Sequence, residues 1–248
     1  RTGSANQIVT LLDPKVTFPA VGAPLLPLTP SAAEEALIRQ HVQVRAEREL
    51  AAAGGDARVQ DFLDSLDRGD LLRELGQVSK LELTRTFDTQ VTLAVEALTR
   101  GLCHAVQLES GDWDTHSNNA GQGKKHQDLF AGLSTLMQSL AAAKLLDDTV
   151  VVVASEMGRT PRLNEAQGKD HWPVTSAMIL GAGVAGGKVV GATTDAFDAA
   201  PVDLQTGAPD PSGRPITYAD LAAGLLQHVG VDPTDYILTG EPLRAFSA

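Results

Sequence analysis

The chain has 248 residues, 43% of them hydrophobic and 21% charged, a balance that suits a folded globule and excludes a disordered tail. Its 31 acidic and 20 basic residues give a formal charge of −11, and such a surface repels phosphate backbones, which argues against nucleic-acid or anionic-membrane partners. The one cysteine, Cys103, excludes an internal disulfide and a cysteine-rich zinc cluster, and no apolar run reaches the roughly 20 residues of a membrane helix.

Residues 1–30 contain five prolines and no sustained period, so they read as an irregular arm. The chain opens at Arg1 without an initiator Met or a leader pattern, which reads as part of a longer protein. Ser31 and Glu34 form a capping box, and a helix is expected from there to about Ala53, where Gly54-Gly55 ends it. A short helix is expected across 59–66. A second capping box, Ser79 with Glu82, opens a helix to Arg100 whose residues Leu83, Phe87, Val91, Ala94, Val95 and Leu98 share one face; Gly101 closes it. Residues 1–100 thus read as an arm plus a helical layer.

From 101 to 248 the pattern changes to an α/β domain. Leu102 to Leu108 reads as a buried strand, with Cys103 packed inside it. A polar loop covers 112–123, and a helix runs from about Lys125 to Lys144. Thr149 to Ala154 is a β-branched run of the kind buried on both faces of a parallel sheet. Ser176–Leu180 and Lys188–Val190 supply two more short strands, and Thr217 with Asp220 caps a last helix. Alternating strands and helices predict a mostly parallel sheet flanked by helices.

Open α/β sheets bind ligands beyond the carboxyl ends of their strands. The first strand here runs into Asp112-Trp-Asp-Thr-His116, the second into Ser155-Glu-Met-Gly-Arg-Thr-Pro161, and Gly168-Lys-Asp-His-Trp-Pro173 follows. Carboxylates with neutral imidazoles hold Zn²⁺, Mn²⁺ and related divalent ions. Asp114 and His116, two residues apart, suit a shared ion, yet each also fits a loop residue bonded to backbone. Glu156 fits a ligand or a helix cap. Arg159 fits a surface ion pair or a partner for a phosphate or sulfate oxygen. Trp113 and Trp172 flank the two histidine motifs, as packing or as walls of a substrate pocket. Asp112 reads as a turn residue, Thr160-Pro161 as a helix start, and His41, His104 and His228 as structural. Gly181-Ala-Gly183-Val-Ala-Gly186 spells a dinucleotide fingerprint, but a strand-like Lys188-Val-Val190 follows where a helix is needed. It reads as a glycine turn.

At these clusters the sequence resembles a bacterial family labelled as a domain of unknown function, number 1501, which is grouped with sulfatases in the alkaline-phosphatase-like superfamily. The matching segments are Asp112–His116, Leu145–Pro161 and Gly168–Pro173, joined by the glycine-rich turn, Gly191-Ala-Thr193 and the helix from Thr217. The resemblance implies the C-terminal part of a three-layer α/β/α domain. It implies a metal-dependent hydrolase of phosphate or sulfate esters using Zn, Mn, Mg or Ca, and a small anionic ester as substrate. In that reading Asp114 and His116 bind one metal and Glu156 another, His171 is the last histidine ligand, and Asp170 is a ligand or its orienter. Arg159 and Asp170 are the candidate catalytic residues. The resemblance further implies export to the periplasm; a separate reading takes the chain as a fragment, with a homo-oligomer or an upstream half completing the sheet. Three departures stand out: Asp-x-His replaces a longer spacing, Met157 stands where a ligand often sits, and the superfamily's nucleophile strand has no counterpart. These favour an alternative, a non-catalytic binding module on the same fold.

Overall fold

The computed structural model describes residues 31–53, 59–60, 62–64, 66–67, 70, 86–237 and 239–248. They fall into two compact units that divide between Ser110 and Gly111. No helix among them is long and apolar enough to cross a membrane.

In the first unit, α1 (Ala32–Ala53) starts where the sequence places its cap. The Glu34 carboxylate accepts from the Ser31 amide (2.8 Å) and hydroxyl (2.7 Å), and Glu34 N donates back to Ser31 Oγ. The described residues between 59 and 70 are helical, and Arg39 of α1 pairs with both Asp67 and Asp70. The proposed Ser79–Glu82 cap lies outside the described residues. Helix α2 (Phe87–Thr99) is capped by Thr86, which accepts from Thr89 N, and it buries Val91, Ala94 and Ala97. Its end is a Schellman turn: Gly101 at φ +67°, Gly101 N to Leu98 O, and Leu102 N to Ala97 O, which seats Leu102 in the core.

The strand expected over Leu102–Leu108 does not form. Residues 103–108 are irregular and largely exposed, and a strand needs a paired ladder that none of the described residues supplies. The segment is instead pinned at its end, where the Gln90 side chain makes both backbone bonds of Glu109 (2.9 and 2.7 Å). Cys103 is half-buried rather than enclosed, and burial raises its thiol pKa.

In the second unit, α3 (Gln122–Ala142) carries Leu133, Leu136 and Leu140 on one stripe, and all three are buried. Each such burial contributes about 1.5–3 kcal/mol. A 3₁₀ turn (Leu146–Asp148) leads into β1 (Val150–Val153). The chain then makes a two-stranded ribbon of β2 (Gly158–Arg159) and β3 (His171–Trp172), and returns as β4 (Met178–Gly181).

The pairing differs from the expected parallel sheet. β1 runs antiparallel to β4, with Val150 opposite Gly181 and Val153 opposite Met178, and β2 runs antiparallel to β3. A parallel return needs a crossover, usually helical. Between β1 and β4 the chain builds the β2–β3 ribbon, so it comes back the other way. Val152 is 41% exposed, in contrast to a strand covered on both faces. Lys188–Val190 is not a strand either; Val189 is 94% exposed, while Val190 packs on the core. Turn geometry at Gly181 and Gly183, both at positive φ, accounts for the glycine-rich motif.

That core is Val202, Leu204, Leu243, Ala245 and Phe246, with Leu221 and Leu225 of α4 (Tyr218–His228) laid against it. Helix α4 opens with the reciprocal Thr217–Asp220 capping box. Asp220 is fully buried, and its carboxylate accepts from both Arg214 nitrogens (2.7 and 2.6 Å), Thr217 N and Oγ1, and Glu241 N.

Candidate metal centre

Two polar segments are laced together beside the β2–β3 ribbon. The loop after Gly111 turns at Asp112, which is left-handed at φ +62° as a turn residue. It is clamped by Gln122 of α3, which donates to Trp113 O (2.9 Å) and Thr115 Oγ1 (2.7 Å). Backbone bonds then join it to the second segment: Lys169 N to Thr115 O, Asn118 N to Ala166 O and Asn119 N to Gln167 O. Gly168 is buried at this seam, and a Cβ there would stand 1.9 Å from the His116 carbonyl carbon. Only glycine permits so close an approach of the two backbones.

The seam and the ribbon bring three donor atoms to one point. Asp114 Oδ1 lies 2.9 Å from His171 Nε2 and 3.1 Å from His116 Nε2, and the two Nε2 atoms are 3.2 Å apart. This near-equilateral triangle is close to one face of a tetrahedron around an ion with bonds of about 2.0–2.1 Å, whose edges measure about 3.3 Å. The donor set, one carboxylate and two imidazoles, matches a catalytic zinc-type site with one position left open. Asp114, His116 and His171 form the group able to hold a metal ion among the described residues, and all three are exposed.

Asp170 stands behind this triangle rather than in it. Its Oδ1 is 3.1 Å from His116 Nδ1. Asp170 is thus placed to accept a proton from Nδ1, which would leave the Nε2 lone pair to a metal ion. The bond to His116, and then one from Asn164, lower the Asp170 carboxyl below its usual range. Asn164 is the residue that sequence reasoning missed. Its amide donates to His116 O (3.0 Å) and Asp170 Oδ1 (3.1 Å), while its carbonyl accepts from Ala166 N and Gly168 N. An Asn-x-Ala-x-Gly turn is the only local trace of that role.

Arg159 lies opposite His171 in the ribbon. Its side chain is mostly buried (18% exposed), with one nitrogen donating to Lys169 O and the other to Asp114 Oδ1. That guanidinium, followed by His171, holds the Asp114 carboxyl down to about 2. Arg159 therefore supplies beside Asp114 the positive charge that an ion would bring.

The remaining sequence candidates fall elsewhere. Glu156 is exposed and outside the triangle; its charge acts on Tyr218, whose hydroxyl pKa is raised by burial and then by Glu156. Glu156 is not among the residues whose donor atoms converge, and beside it the Tyr218 hydroxyl donates to Ser155 O. Trp113 packs edge-on against His126 of α3 at 4.8 Å, a packing role. Trp172 alternates to the opposite face of β3 from His171 and lines a separate cavity.

Comparison with curated proteins and with solved structures gave no match. The family model described as a protein of unknown function, DUF1501, matches residues 31–244, a span that takes in the helical layer, the triangle of donors and the capped helix α4. The chain belongs to the DUF1501 family.

Proposed function

We propose that this protein is a metal-dependent hydrolase of phosphate or sulfate esters. The observation that carries the reading is the triangle of Asp114 Oδ1, His116 Nε2 and His171 Nε2, with sides of 2.9–3.2 Å. A divalent ion held there would supply Lewis acidity and charge neutralisation for an ester oxygen. Asp170 keeps His116 in the tautomer that offers Nε2, and Asn164 keeps Asp170 in place. Arg159, held by Lys169 O and Asp114 Oδ1, brings a guanidinium beside the triangle that can donate to an oxyanion.

Metal analysis of the purified protein and of Asp114→Ala and His171→Ala variants tests the ligand set. Substoichiometric metal in both variants is expected, and unchanged metal in both would sink it. A screen of aryl phosphates, phosphodiesters and aryl sulfates with added Zn²⁺, Mn²⁺ or Ca²⁺ tests turnover.

A second reading, a binding module that keeps one ion without turnover, has one observation in its favour. Glu156 stands apart, so a single three-donor cluster exists among the described residues. Metal binding without hydrolysis of any ester in the screen would select it.

A further inference from the structure

We propose that the cavity behind the β2–β3 ribbon is a sugar-ring subsite. It is an open cleft of about 390 Å³ lined by Thr160, Pro161, Arg162, Trp172, Asp195 and Phe197.

Three features give it a ligand chemistry. The Trp172 indole N–H is already committed to Phe197 O at 3.1 Å, so the ring is fixed in orientation and offers its apolar face rather than its donor. Phe197 is held at φ +65° by a tight loop, with Phe197 N on Thr194 O and Thr194 N on Asp198 O, and the residue is 53% exposed. A bulky residue in left-handed backbone, presenting an aromatic ring to solvent, is a strained arrangement of the kind retained for ligand contact. The third feature is the polar pair Asp195 and Arg162; neither enters an ion pair among the described residues, and together they offer acceptors and donors on the cavity wall.

This combination selects among ring ligands. A purely aromatic guest would desolvate the carboxylate and the guanidinium without replacing their hydrogen bonds. A free anion would meet Asp195. A pyranose has an apolar C–H face for Trp172 and Phe197, and hydroxyls that both donate to Asp195 and accept from Arg162. Trp172 and His171 project from opposite faces of β3. The ring held here therefore lies on the other side of β3 from the donor triangle, and we assign it to a unit of an oligosaccharide other than the one bearing the ester. In that role the inference rests on the hydrolase reading and narrows its substrate to esterified glycans; the binding itself does not depend on it.

Because Trp113 and Trp172 are the only tryptophans, a Trp113→Phe background leaves Trp172 as the sole reporter. Titration of that metal-stripped protein with uncharged malto-, cello-, xylo- and chito-oligosaccharides should give a saturable change in Trp172 emission for at least one series. Asp195→Ala and Arg162→Ala should each weaken it at least about tenfold, the range of one lost hydrogen bond to a charged group. Saturation-transfer NMR on the unsubstituted protein reads the same binding without the background change. No response to any oligosaccharide by either method overturns the proposal. So does a response to phenol that matches the sugars and ignores Asp195→Ala. Since the titration contains no metal, its failure leaves the hydrolase reading standing, and failure of metal binding leaves the sugar result standing.

Discussion

The Nε2 atoms of His116 and His171 stand 3.2 Å apart across 55 residues of chain, both within reach of the same Asp114 oxygen. Two imidazole nitrogens and a carboxylate turned to one point are an arrangement that suits a divalent cation. Replacing either histidine by alanine should lower affinity for Zn²⁺ by more than the roughly 10- to 100-fold typical of losing a supporting group, as read by isothermal titration calorimetry.

Asp170 and Asn164 support His116 without touching an ion. Asp170→Ala should weaken metal binding by about 10- to 100-fold. Asn164→Ala should give a smaller loss, because Asp170 keeps its bond to His116 Nδ1. The double variant should be little worse than Asp170→Ala, since the two act through one chain of bonds. Additive losses would show that Asn164 acts separately.

Arg159 competes with a cation for Asp114 and is suited to an oxyanion. Arg159→Gln should raise metal affinity, because Asp114 loses its fixed counter-ion, while weakening inhibition by inorganic phosphate or sulfate. Arg159→Lys should not restore the anion effect, as an ammonium cannot reproduce the forked contact. Metal and anion titrations on the same variants read both.

Gly168→Ala places a methyl group into the His116 backbone. It should cost metal affinity and stability together, in contrast to His116→Ala, which should cost affinity alone. Thermal melts in chelator separate the two.

Asp220 anchors the second unit. Burial alone would raise its carboxyl pKa, but Arg214, then Thr217 and the Glu241 amide, outweigh burial and lower it from the ordinary 3.8. The native state thus holds the proton less readily than the unfolded chain, and stability from this group is present above about pH 4 and lost as pH falls. Asp220→Asn should destabilise by about 1–3 kcal/mol at neutral pH, the range for lost hydrogen bonds at a buried carboxylate whose cationic partner stays partly in solvent. It should also flatten the acid limb of urea unfolding.

The elements legible in the sequence were those governed by local physics. Ser31–Glu34 and Thr217–Asp220 caps need only a few neighbouring residues, and both form. The apolar stripe of α3 and the β-branched run at Val150–Val153 follow from side-chain period and shape. The candidate residues Asp114, His116 and His171 were legible as residue types that hold metals.

Pairing and convergence were decided only by the tertiary structure. A run of valines fits a parallel or an antiparallel partner equally, and the β2–β3 ribbon, not the valines, set the direction of β4. Leu102–Leu108 had the pattern of a strand but no ladder to join. Glu156 and His171 looked alike as ligands, yet only His171 meets Asp114, because its strand pairs with Arg159 and its loop is sewn to His116 by Asn164 and Gly168. Such contacts join residues some 50 positions apart, and no local propensity encodes them.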